Sequence, residues 1–129
     1  ASVELYKGGI VPLTQFAEMP FDRDILVRVH IPKENAAFFY QSVRPTKTDF
    51  PSLTCAAARL ESGEYRFAIG ARPGKAVVLA PQGTPEELPE LVCAQIETGS
   101  NLRGSAEYRK HLARVLVRRA VETLEGGAK

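Results

Sequence analysis

The 129-residue chain has the length of one domain, because two separate cores would leave each half too little apolar surface to bury. Its residues are 44% hydrophobic and 25% charged, which is typical of a folded globular protein rather than a disordered one. A net charge of +2 is too small to indicate a polyanionic partner, so the composition does not favour nucleic-acid binding. No apolar run approaches the ~20 residues of a membrane helix, and residues 1–7 lack the apolar core of a signal peptide. We therefore expect a cytoplasmic protein with no membrane partner.

The first quarter of the chain predicts extended structure. Short apolar runs flank Lys7-Gly8-Gly9, which is typical of a β-hairpin within residues 3–13. Residues 24–31 then alternate between apolar and polar side chains and predict a strand that ends before Pro32. The apolar face of this strand would be formed by Ile25, Val27, Val29 and Ile31.

Strands dominate the middle of the chain. The patterns of residues 37–43, 53–60, 65–71 and 76–79 predict four further strands. Between the first two, residues 44–51 combine two prolines with charged and hydroxyl side chains and predict a loop.

After residue 80 the apolar spacing changes to a helical period. Thr84-Pro85-Glu86-Glu87 has capping-box spacing and predicts a helix that ends before Gly99, although Pro89 favours a separate first turn. Ser105 predicts the cap of a final helix near residues 106–125. Its predicted buried face contains Tyr108, Leu112, Val115, Leu116, Ala120 and Leu124. Its basic residues, which we expect on a solvated or subunit-facing surface, are Arg109, Lys110, Arg114, Arg118 and Arg119.

Strands followed by helices predict an α+β fold, with a mostly antiparallel sheet packed against two or three helices. The residues alone predict no complete active site. The segment 70–76 is one residue short of a phosphate-binding loop and has Ala76 where that loop needs a hydroxyl. Cys55 and Cys93 are too far apart for a typical zinc site and are expected to be buried apolar residues. His30 and His111 have no nucleophile at activating spacing, so we expect no catalytic residue and no metal site.

Three segments together resemble a known family. Residues 104–120 begin Gly-Ser-Ala-Glu-Tyr-Arg and continue as an apolar and basic helix. Residues 31–58 combine a strand, a polar loop and a strand of small residues, and residues 67–73 end in Gly-Ala-Arg-Pro. In this order the segments are similar to the C-terminal domain of the FAD-binding subunit of molybdenum hydroxylases, the family of carbon monoxide dehydrogenase and xanthine dehydrogenase.

The resemblance implies that the chain is part of an oxidoreductase that relays electrons from molybdenum and [2Fe-2S] centres through FAD to NAD or another acceptor. Residues 1–22 would then be the tail of a preceding FAD-binding region, residues 23–125 the C-terminal domain and residues 126–129 a flexible tail. The implied partners are that FAD-binding region, a large subunit that holds Mo-pterin and a small subunit that holds [2Fe-2S]. The chain has no glycine-rich segment for a pyrophosphate, so this fragment alone is expected to lack FAD and to be inactive.

Within the resemblance, the loop and the strand before it are the candidate site. Tyr40 would pack against the flavin ring, Arg44 and Lys47 would stabilise negative charge on it or steer an anionic acceptor, and Asp49 would orient either cation. From the residues alone, a solvated loop with an Arg-Asp ion pair is an equal reading. The alternative for the whole chain is a free-standing interaction module that binds an acidic protein through its basic C-terminal helix.

Overall fold

A computed structural model describes residues 1–20 and 23–126; Asp22 and the last three residues of the predicted tail lie outside this part. The elements in chain order are β1 (Ser2–Leu5), β2 (Gly9–Pro12), α1 (Leu13–Glu18), β3 (Leu26–His30), β4 (Ala36–Val43), β5 (Leu53–Leu60), β6 (Tyr65–Gly70), β7 (Val77–Leu79), α2 (Leu88–Gln95) and α3 (Ala106–Glu125). The predicted α+β class is confirmed, with two antiparallel sheets and three helices in the described residues. No described helix is long and apolar enough to cross a membrane.

The chain divides into two compact units, and the first comprises Ala1–Glu34. Its sheet has the order β2-β1-β3, and the predicted hairpin is confirmed, with Gly9 in the left-handed region at φ +68°. The short helix α1 was not predicted, since six residues show too little of a helical period. β3 pairs with β1, so residues 26–30 belong to this first unit.

The apolar face predicted for β3 is not buried within this unit. Its four members are 46–78% exposed. The physical reason is that β3 forms the edge of a three-stranded sheet, and the described residues of this unit include one helix, of six residues. Alternation predicted the strand correctly but could not predict what covers it. These members are Ile25, Val27, Val29 and Ile31.

The second unit begins at Asn35 and contains a four-stranded antiparallel sheet of order β4-β5-β6-β7. Its four predicted strands are confirmed to within one residue at either end, and Gly63 lies in the turn between β5 and β6. One face of the sheet packs against α2 and α3 and forms the core. The buried sheet residues of that core are Leu53, Cys55, Ala57, Tyr65, Phe67 and Ile69.

Helix α2 begins at Leu88, after a separate turn. The carboxylate of Glu87 accepts a hydrogen bond of 2.8 Å from the Thr84 amide, which is one half of the predicted capping box. Pro89 lies in the first turn of α2, where a missing N–H breaks no helical hydrogen bond. The flaw expected at Pro89 is therefore resolved by the later helix start.

Helix α3 has the predicted limits and the predicted cap, because Ser105 Oγ accepts from the Tyr108 amide at 3.1 Å. The buried face of α3 differs from the predicted one. Tyr108 is 44% exposed and Val115 is half-buried, whereas one predicted surface cation, Arg109, is completely buried. The buried residues of α3 are Arg109, Leu112, Ala113, Leu116, Val117, Ala120, Val121 and Leu124.

The buried guanidinium of Arg109 joins three segments of the second unit. Its Nε donates to the Ser52 carbonyl at 2.8 Å, and Nη1 donates to the carbonyls of Gly99, at 2.6 Å, and Gly104. Its Nη2 donates to Asn101 Oδ1. All four acceptors are uncharged oxygens, so fixed dipoles replace the water that a buried cation loses. Arg109 thereby ties the start of β5 and the turn at residues 99–104 to α3.

Removing this guanidinium should therefore destabilise the chain strongly. We expect Arg109→Leu to lower the free energy of unfolding by roughly 3–5 kcal/mol, because four oxygen acceptors lose their donors at a buried site. The matched control is Arg119→Leu on the exposed side of α3, expected to change it by less than about 0.5 kcal/mol. Urea unfolding of both variants measures the difference, and equal midpoints would contradict the role of Arg109.

Candidate functional site

The second face of the four-stranded sheet carries no helix of the second unit and forms three rows of side chains across the strands. The register places Tyr40, Ala56, Ala68 and Val78 in the central row. On one side lies the row of Phe38, Ala58 and Arg66, and on the other the row of Ser42, Thr54 and Gly70. We call these three rows the outer face.

The outer face is flat and apolar at its centre, because its middle strands contribute alanines and glycine. Large side chains stand at its margins: Phe38, Tyr40 and Val78 are 68%, 64% and 62% exposed. A shallow groove of about 210 Å³ lies on this face, with Phe38, Ala58, Arg66 and Val78 among its lining residues. A Cβ added at Gly70 would lie 2.6 Å from Thr54 Oγ1, so the side chain of Thr54 leaves no room for a larger residue at this position. Such a surface fits a planar aromatic group better than a branched one.

Arg44 lies at the end of the outer face where β4 runs into the loop. Its Nε donates to Ser42 Oγ and its Nη1 to the main-chain carbonyl of Asp49, both at 3.2 Å. Because Ser42 and Tyr40 are two apart on β4, their side chains share the outer face. Both acceptors of Arg44 are uncharged, so its positive charge is not neutralised by a carboxylate among the described residues.

The side chain of Asp49 faces a different cation, Arg103. Arg103 Nε and Nη2 donate to Asp49 Oδ1 at 3.0 and 2.8 Å, and the Phe50 amide donates to the same oxygen at 2.7 Å. The guanidinium of Arg103 also lies 5.2 Å from the centroid of the Phe50 ring. The hydrogen bonds from Arg103 and Phe50 hold the pKa of Asp49 below its usual value.

The predicted site residues are thus only partly brought together. Tyr40 lies on the outer face, and Arg44 lies at its edge. Asp49 pairs with Arg103 instead of orienting Arg44 or Lys47 by its carboxylate. Lys47 is exposed, and its side chain makes no hydrogen bond or ion pair with the described residues. Arg103 was missed, since it lies 54 residues from Asp49 and no local pattern links them.

The other candidates carry no further chemistry. Residues 70–76 form a turn, with Arg72 donating to the carbonyls of Lys75 at 2.7 Å and Glu97 at 2.9 Å. Cys55 and Cys93 are buried as predicted, and burial raises the pKa of the Cys55 thiol to about 12. Within residues 1–20 and 23–126, no group of three or more His, Cys, Asp or Glu side chains could hold a metal ion.

Two of the basic residues of α3 are not free for an acidic partner. Arg109 is buried, and Arg114 donates from Nε and Nη2 to the Glu90 carboxylate at 2.6 and 3.0 Å. The prediction that all five cations form one surface is therefore wrong. A charged residue counts as exposed in a hydropathy pattern, whereas here four polar acceptors make burial of Arg109 favourable.

The family model of the CO dehydrogenase flavoprotein C-terminal domain matches residues 37–124 of the sequence. This range includes most of β4, all of β5 to β7 and α2, and most of α3. The chain belongs to this family. The resemblance noted from the sequence is thereby confirmed. No curated protein sequence matches the chain significantly.

Solved structures share the fold of this flavoprotein domain. Quinoline 2-oxidoreductase from Pseudomonas putida 86 superposes with a TM-score of 0.81 at 21% identity, over 98% of this chain and 53% of its own. A reconstituted CO dehydrogenase from Oligotropha carboxidovorans superposes with a TM-score of 0.66 at 19% identity, over 98% of this chain and 53% of its own. A CO dehydrogenase from Hydrogenophaga pseudoflava that lacks the Mo-pyranopterin moiety of the molybdenum cofactor superposes with a TM-score of 0.64 at 22% identity. The match covers 80% of this chain and 42% of its own. The chain spans about half the length of the structures that it matches.

The ion pair of Asp49 predicts how stability depends on pH. Because its pKa is lower in the folded state, its contribution is present above the pKa of the unfolded chain and is lost as the pH falls through the folded value. The difference in unfolding free energy between wild type and Asp49→Asn should thus be largest near neutrality and shrink below about pH 4. Glu61→Gln, at an exposed carboxylate, is the control and should show no such trend. A difference for Asp49→Asn that is independent of pH would contradict the assignment.

Proposed function

We propose that the chain is the C-terminal part of the FAD subunit of a molybdenum hydroxylase, and that its outer face forms one wall of the flavin site. The observation that carries the proposal is the central row, which begins at the exposed ring of Tyr40 and has the unneutralised cation of Arg44 at its edge. Membership in the CO dehydrogenase flavoprotein domain family supports it. The complete enzyme would relay electrons from molybdenum and [2Fe-2S] centres through FAD to NAD or another acceptor.

The outer face fits one side of a flavin ring. Ala56 and Ala68 allow a planar group to approach the backbone closely, and Tyr40 offers an aromatic ring for stacking. The hydroxyl of Ser42 and the guanidinium of Arg44 add polar groups at the edge of this apolar area. A planar ligand with an apolar body and a polar margin matches this arrangement.

FAD would supply the redox chemistry, and the residues of this chain would set its surroundings. The outer face would exclude water from one side of the ring. Arg44 would favour the negatively charged reduced form, because a cation that is not paired with a carboxylate acts at full charge in a partly dry site. Lys47 at the loop would attract an anionic acceptor over a longer distance and in a salt-dependent way.

The remaining parts of the FAD site would come from outside this chain. The described residues contain no glycine-rich strand-to-helix turn that could bind a pyrophosphate, and the relatives of known structure are about twice as long. We propose that a flavin-binding region, a molybdenum-binding large subunit and an iron–sulfur small subunit complete the enzyme. The alternative is an interaction module that binds an acidic partner through α3. It has less support, because Arg109 is buried and Arg114 is paired with Glu90.

The contact between Tyr40 and the flavin is tested in the full-length FAD subunit. Tyr40→Leu should weaken FAD binding and increase the fluorescence of the bound flavin, since a stacked phenol ring would be removed. Tyr108→Leu, at a partly exposed tyrosine of α3 on the other side of the sheet, is the matched control and should leave both unchanged. If Tyr40→Leu has no more effect than the control, the outer face does not contact the flavin.

The 129-residue chain itself should purify without colour. With at most one wall of the ring site and no pyrophosphate site, it should bind FAD weakly and show no activity alone. The absorption spectrum after gel filtration measures this. A stoichiometric flavin that stays bound would show that the complete site lies within these residues and would contradict the proposed division of the site.

A further inference from the structure

We propose that Arg103 is a positioning residue for Arg44, acting through Asp49. This inference rests on the function proposed above and identifies which residue keeps the cation at the edge of the outer face. Arg103 itself is neutralised by Asp49, so its role differs from that of Arg44.

The first link is the contact between Arg103 and the loop. Two nitrogens of one guanidinium converge on Asp49 Oδ1, and the same guanidinium lies over the ring of Phe50. About two thirds of each charged side chain is shielded from solvent, with 35% and 31% exposed. A planar guanidinium fixed at two points and packed on a ring holds the orientation of its partner better than a single flexible contact.

The second link connects Asp49 to Arg44. The main-chain carbonyl of Asp49 accepts from Arg44 Nη1, and its amide donates to the Thr46 carbonyl at 3.2 Å, which closes the loop on itself. The position of the Arg44 guanidinium therefore depends on the position of the Asp49 backbone. Whatever holds Asp49 also holds the cation at the end of β4.

The third link consists of hydrogen bonds to the main chain of Arg103. Its amide donates to Asn101 Oδ1 at 2.9 Å, and its carbonyl accepts from Ser52 Oγ at 2.9 Å. Asn101 is in turn held by the buried guanidinium of Arg109. The backbone of Arg103 is thus ordered before its side chain meets the loop, which lowers the entropic cost of the contact with Asp49.

The chemistry of the loop predicts what happens without Arg103. An unpaired carboxylate at Asp49 would take the nearest available cation, and Arg44 already bonds to its backbone. An Arg44–Asp49 ion pair would neutralise the cation and withdraw it from the outer face. Arg103 therefore keeps the Arg44 guanidinium in place and free of a carboxylate partner.

The test measures the midpoint potential of FAD bound to the full-length subunit and the amide exchange of residues 44–51. Arg44→Gln should lower the potential because the reduced flavin loses a cation. Arg103→Gln should lower it in the same direction and should also speed amide exchange in the loop. Adding Asp49→Asn to Arg103→Gln should restore part of the potential, since the competing carboxylate is gone, whereas the exchange should stay fast. Arg103→Lys, which keeps the charge but not the paired donors, should give an intermediate result.

Leu102→Gln is the matched control, because Leu102 is fully exposed in the same turn, and it should change neither quantity. If Arg44→Gln lowers the potential and Arg103→Gln does not, the positioning role is wrong while the proposed function stands. If Asp49→Asn restores nothing in the Arg103→Gln background, the competition between the two arginines is wrong. If Arg44→Gln leaves the potential unchanged, the flavin-facing role of this edge and the inference built on it both fail.

Discussion

The guanidinium of Arg109 is buried without a carboxylate partner, and the second unit depends on how that charge is accommodated. Removing an arginine from water costs several kcal/mol unless its donors are satisfied, roughly as for any buried ion. Four oxygens from the start of β5 and the turn at residues 99–104 satisfy them. The turn is consequently held to the core by its hydrogen bonds with Arg109, although its own side chains are largely exposed. Its order determines where Ser52 and Arg103 lie, and so where the loop at residues 44–51 can lie.

The two faces of the four-stranded sheet differ in what packs against them. Alternate residues of β5 and β6 place Leu53, Phe67 and Ile69 in the core, whereas the outer face receives mostly small residues, with Arg66 at its margin. The helices can therefore pack tightly on one side while the other side stays flat enough for a planar ligand. Arg44 reaches the flat side because it follows β4 directly, and its uncharged hydrogen-bond partners leave its charge available there.

Local patterns predicted the local structure of this chain well. Alternation placed the strands of the second unit, and Ser105 identified the start of α3, because these features depend on neighbouring residues. The fate of individual charges was harder to predict. Arg109 was assigned to the surface by its polarity, and the partner of Asp49 was unknown because Arg103 meets it only through the tertiary fold. For the candidate site, the family resemblance suggested Tyr40 and Arg44, and that assignment stays a prediction; no local pattern indicated the network that holds the loop.

The central claim is that the outer face and the Arg44 edge of this domain face the flavin. A structure of the full-length subunit with FAD bound tests it most directly. We expect the flavin ring to lie over the row of Tyr40, Ala56 and Ala68, with Arg44 within hydrogen-bond distance of the polar edge of the ring. A ring bound elsewhere, with the outer face covered by a different part of the protein, would contradict it.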